Sequence, residues 1–109
     1  MTEADQFRKR LLNLTILAKE FSQGKKQALF GSKDMQEKDY QDVYKKIMHE
    51  IEALFKIWGH PNTPAKDVKE YEIFMGRLPS IRDYLKNKSN DIQALKNAMG
   101  KLLSEIPKR

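Results

Sequence analysis

Residues 40–61 read YQDVYKKIMHEIEALFKIWGHP, and this stretch decides the fold. Tyr40, Val43, Ile47, Ile51, Leu54 and Trp58 recur at steps of three and four, the spacing that lines one face of an α-helix. Tyr44, Met48 and Phe55 widen that stripe. Gly59, His60 and Pro61 then stop it, because glycine tolerates a left-handed cap and proline cannot continue a helix. The expected helix is long, from Ser32 or Lys33 to Trp58.

Working outward, the same periodicity recurs on both sides. Towards the N-terminus, Phe7, Leu11, Leu14, Ala18 and Phe21 form a stripe. Thr2, with Asp5 three residues on, suits its N-cap, and Gly24 suits its stop. Residues 24–33 read as a connection. Leu29 and Phe30 are unusual there, and are expected either to tuck against the helices or to mark a docking surface.

Beyond the Gly59–Pro64 hinge, Thr63 followed by Pro64 is a good helix start. Val68, Tyr71, Phe74 or Met75, and Leu78 give a third stripe. Pro79 is expected to interrupt it, with Ser80 restarting a short helix that carries Ile81, Tyr84 and Leu85. Asn87–Asn90 reads as a turn, with Ser89 or Asn90 capping a last helix of Ile92, Leu95, Met99, Leu102 and Ile106. No run alternates with period two for long enough to be a strand. The expectation is an all-α fold: an antiparallel up-and-down bundle of four to five helices, with residues 1–109 in a single domain.

Composition narrows the chemistry. The chain holds no cysteine, which excludes disulfides, thiolate metal sites and cysteine nucleophiles. No secretory signal follows the acidic start, and the apolar runs are too short for a bilayer span, so a cytoplasmic protein is expected. His49 sits in His-Glu-Ile-Glu-Ala, which lacks the second histidine of a zinc-protease helix. His49 and Glu52 have no matching second pair for a two-metal site. His60 reads as a turn residue. The five glycines are isolated, so no phosphate-cradling loop is present. Neither catalysis nor a cofactor is expected.

Charge is the remaining signal. Residues 1–33 carry seven Lys/Arg against three acids, residues 34–79 seven against nine, and residues 80–109 seven against three. The net +6 is therefore held by the two ends of the chain. First and last helices can be neighbours in a bundle, so the two basic stretches could form one face. The candidate residues for a partner or polyanion are Arg8, Lys9, Arg10, Lys25, Lys26, Arg82, Lys86, Lys88, Lys101 and Lys108. Leu29, Phe30 and Trp58 are candidate apolar anchors.

Sixteen lysines against five arginines favour diffuse attraction over bidentate recognition. A helix-turn-helix with Gly76 in the turn and Ile81–Lys88 as second helix fits poorly, since Glu72, Arg77 and Arg82 fall where apolar or small residues belong. The aromatics lie mainly in the acidic middle, while the lysines lie at the ends, which counts against base stacking. The expected function is a small non-enzymatic interaction or regulatory module that binds a protein partner with an acidic surface. The alternative is a backbone-directed, salt-sensitive nucleic-acid binder.

Overall fold

The computed structural model describes residues 3–60 and 68–107. Four helices and one hairpin follow in chain order: α1 (Glu3–Gln23), β1 (Lys25–Ala28), β2 (Gly31–Asp34), α2 (Glu37–Trp58), α3 (Lys69–Asn87) and α4 (Ile92–Glu105). The molecule is mainly helical, as the periodicity predicts. Thr2, the Thr63–Pro64 start and Lys108 lie outside the described residues.

The stripes bury as their spacing requires. Phe7, Leu11, Leu14, Ala18 and Phe21 of α1 meet Val43, Ile47, Ile51 and Leu54 of α2 in one apolar cluster. Tyr71, Phe74, Met75, Leu78 and Leu85 of α3, Leu95, Met99 and Leu102 of α4, and Ile106 complete it. α1 packs against both α2 and α4, and α3 packs against α2 and α4. Burial of a large apolar side chain contributes about 1.5–3 kcal/mol, so these stripes supply the main force holding the helices together.

Several boundaries differ from the sequence expectation. Residues 24–33 are not simply a connection: β1 and β2 pair antiparallel from Lys25 with Asp34 to Ala28 with Gly31. Every residue of β2 is exposed. A strand with no buried face needs no apolar alternation, so the period-two signal is missing. Gly24 stops α1 in the left-handed region at φ 70°. α2 begins at Glu37, four or five residues later than expected, because the hairpin takes the chain up to Asp34. The backbone N–H of Gln36 donates to the Asp39 carboxylate at 2.9 Å, which fixes this start.

At the other end of α2, Gly59 adopts φ −68°, so its cap is not left-handed. α3 passes through Pro79 without a break, so the described residues form four helices and the expected separate helix after Pro79 is part of α3. Tyr71, Phe74, Met75, Leu78 and Leu85 stay in helical phase on both sides of the proline and are all buried. Their packing offsets the hydrogen bond that proline removes. Continuity at Gly76 also removes the turn that a helix-turn-helix would need there. α4 is capped by Asp91, whose carboxylate accepts from the Ala94 N–H at 3.0 Å, rather than by Ser89 or Asn90.

Candidate functional site between α1 and α2

The basic triplet at residues 8–10 is divided by helical geometry, since consecutive residues lie about 100° apart around the axis. Arg8 turns toward α4, lining a depression with Leu12, Lys19 and Leu103, and pairs with Asp5 at 3.6 Å. Arg10 turns toward α2. Its Nη1 donates to both carboxylate oxygens of Glu50, at 3.1 and 3.2 Å. Glu50 is the one charged residue buried among the described residues, and Arg10 compensates it. Lys9 makes no ion pair among the described residues.

The other sequence candidates scatter over the molecule. Lys25 pairs with Asp34 at 3.0 Å and Lys26 with Asp39 at 3.1 Å, both on or beside the hairpin. Asp39 is held below its ordinary carboxylate value by the Gln36 backbone hydrogen bond first and by Lys26 next. Arg82 lies over the Phe55 ring, 4.6 Å from its centre, and reaches Glu52 at 3.3 Å, so it ties α3 to α2. Lys86 and Lys88 are exposed where α3 ends. Lys101 lines a depression between α3 and α4 with Ile81 and Tyr84. These residues are distributed over the hairpin, α3 with its C-cap, and α4.

The apolar candidates divide as well. Trp58 is half-buried, its ring 5.6 Å from that of Phe7, and packs against the core at the end of α2. Leu29 and Phe30 do not tuck against the helices. They are 90% and 97% exposed at the tip of the hairpin.

A more coherent surface runs along the seam of α1 and α2. Two shallow depressions, of about 450 and 520 Å³, both touch Asn13. Arg10 lines one and Glu50 the other, so their ion pair bridges the junction. Ile16 and Leu17 form the apolar floor at one end, and Ala53 and Ile57 at the other. Lys45, Lys46 and His49 flank the first depression, and Lys9 and Lys56 the second. From Lys45 to Ile57, α2 extends about 18 Å at 1.5 Å per residue.

Charge on this seam is unbalanced. Among the described lining residues Glu50 is the only carboxylate, and it already faces Arg10. Lys9, Lys45, Lys46 and Lys56 make no ion pair among the described residues. Lys45, Lys46 and Lys56 escape the segment totals, because they sit in the net-negative middle of the chain. In helical projection Glu52 lies within about 40° of Lys45 and Lys56, and its carboxylate is taken by Arg82 at 3.3 Å.

Among the described residues, no cluster of three or more His, Cys, Asp or Glu side chains is placed to hold a metal. None of the described helices is long and apolar enough to cross a membrane. No protein family model, curated protein or solved structure matches the chain.

Proposed function

We propose that this protein is a non-enzymatic interaction module that holds an acidic, amphipathic segment of a protein partner along the α1–α2 seam. Four lysines that make no ion pair among the described residues, around the Ile16, Leu17, Ala53 and Ile57 floor, carry the reading. Apolar side chains of a docked helix would cover the floor, while its carboxylates would meet Lys9, Lys45, Lys46 and Lys56. Arg10 serves the fold in this reading, by neutralising Glu50. The framework behind it is an up-and-down antiparallel bundle. Pairings of Phe7 with Trp58 and Phe21 with Tyr40 support opposite directions for α1 and α2, and pairings of Tyr44 with Leu85 and Phe55 with Arg82 do so for α2 and α3.

The seam lysines would also attract a nucleic-acid backbone, although only Lys9 among them belongs to the sequence candidates for that reading, and one set of variants separates the two. With Lys45, Lys46 and Lys56 changed together to glutamate, capture of an acidic partner by a photo-crosslinker at Ile16 should disappear while the thermal melt stays in place. Capture that persists in the triple variant would overturn the reading. So would micromolar binding of mixed-sequence duplex DNA at physiological salt that the same variant abolishes.

A further inference from the structure

The hairpin carries a feature that the fold does not require. A two-residue link, Leu29–Phe30, closes β1 onto β2, and the left-handed backbone falls on Gly31 at φ 116°. Tight hairpin links favour Asn-Gly or Asp-Gly, so turn chemistry does not call for two large apolar residues. Neither packs on the core, and both stand almost wholly in water.

The charges on the hairpin are arranged by distance from that tip. Gln27–Ser32 is a block of six uncharged residues, bracketed by Lys25 and Lys26 on one strand and Lys33 on the other. Lys26 stands directly opposite Lys33 in the strand register. Like charges in that position repel, and the Asp39 carboxylate, 3.1 Å from Lys26, offsets part of that repulsion in the free protein. Lys26 and Lys33 are each three residues from the tip, about 10 Å along a strand. An apolar face seated at the headgroup–acyl boundary of a bilayer lies about 5–10 Å deep. With Leu29 and Phe30 at that depth, the lysine collar reaches the phosphates and no charged residue has to enter the hydrocarbon.

We infer that the hairpin is a membrane-surface finger: Leu29 and Phe30 enter the interface of an anionic bilayer while Lys25, Lys26 and Lys33 hold its headgroups. Asp34 and Asp39 pair with Lys25 and Lys26 in the free protein. The Lys25–Asp34 pair, with both side chains more than half exposed, is of the weak kind. The finger lies outside the α1–α2 seam, so this inference does not depend on the function proposed above.

The test is co-sedimentation of the whole protein with vesicles of phosphatidylcholine alone and of three parts phosphatidylcholine to one part phosphatidylserine. Binding to the mixed vesicles only is expected, falling at least about tenfold in the double variant Leu29→Ser/Phe30→Ser, which removes two apolar insertions. A Phe30→Trp variant should gain emission that shifts to the blue and is quenched by lipids brominated in the acyl chain, measured against the Trp58 background. Absence of binding to mixed vesicles, binding unchanged by the double serine variant, or added emission from Phe30→Trp that brominated lipid leaves unquenched would each overturn the inference. Tip-dependent binding to duplex DNA without vesicle binding would overturn it too, and would make the finger a nucleic-acid wedge.

Discussion

Replacing Arg10 by methionine keeps an unbranched apolar stem at the seam and deletes the guanidinium and its charge. Glu50 then loses the cation that holds both of its oxygens, while remaining a buried residue. Breaking a fully buried pair costs about 3–5 kcal/mol, whereas exposed pairs contribute about 0.2–1 kcal/mol. Here the Glu50 side chain is 11% exposed and the Arg10 side chain 38%, which places this pair between those limits. The expected loss, discounted for the solvent that reaches Arg10, is about 1–2 kcal/mol. For a domain near 100 residues that corresponds to a melting point lower by roughly 4–8 °C.

The measurement is a double-mutant cycle by urea unfolding, with Arg10→Met, Glu50→Met and both together. The single Arg10→Met change should be the most damaging, since it strands a carboxylate. The double variant should recover much of the loss by replacing the pair with apolar contact. A destabilisation by Arg10→Met below about 0.5 kcal/mol, or a coupling energy near zero, would refute the view that Arg10 is committed to the fold.

Two further outcomes follow from the helices themselves. Pro79→Ala should raise stability by about 1–3 kcal/mol in the same unfolding assay, because α3 already runs through this position and alanine restores a backbone donor. A loss of stability would show that the proline ring's packing matters more. Tyr44 donates its hydroxyl to the Leu85 carbonyl at 3.3 Å, and burial raises its pKa above the ordinary 10.0. The unfolded chain therefore releases this proton first as pH rises, so the contribution of Tyr44 is present below about pH 10 and declines above it. Melts of Tyr44→Phe and wild type should show a difference that shrinks above about pH 10, and a constant difference would refute the assignment.

Much of the fold is legible in the spacing of apolar residues. Phe7, Leu11, Leu14, Ala18 and Phe21 of α1, and Val43, Ile47, Ile51 and Leu54 of α2, stand out by spacing alone, and all are buried. Punctuation is harder to read. Pro79 reads locally as a break, and only packing on both sides of it keeps α3 whole. The hairpin is silent for the opposite reason, since a strand as exposed as β2 leaves no apolar rhythm. Leu29 and Phe30 are conspicuous in the sequence, but whether they face core or water depends on where the hairpin stands.

The candidate site is less legible than the fold. Counting charge along the chain points to its two ends, yet a helix distributes neighbouring charges to different faces. Lys45, Lys46 and Lys56 share the seam with Lys9, which precedes them by 36 residues or more, and Arg10 meets Glu50 across a separation of 40. The sequence by itself determined the apolar stripes and which side of each helix seeks the core, because that periodicity repeats within four residues, while the α2 start and the passage of α3 through Pro79 were left to packing. Only the tertiary structure decided which cations are matched. Coulombic pairing depends on ångström-scale distance between elements, and linear order does not encode that distance.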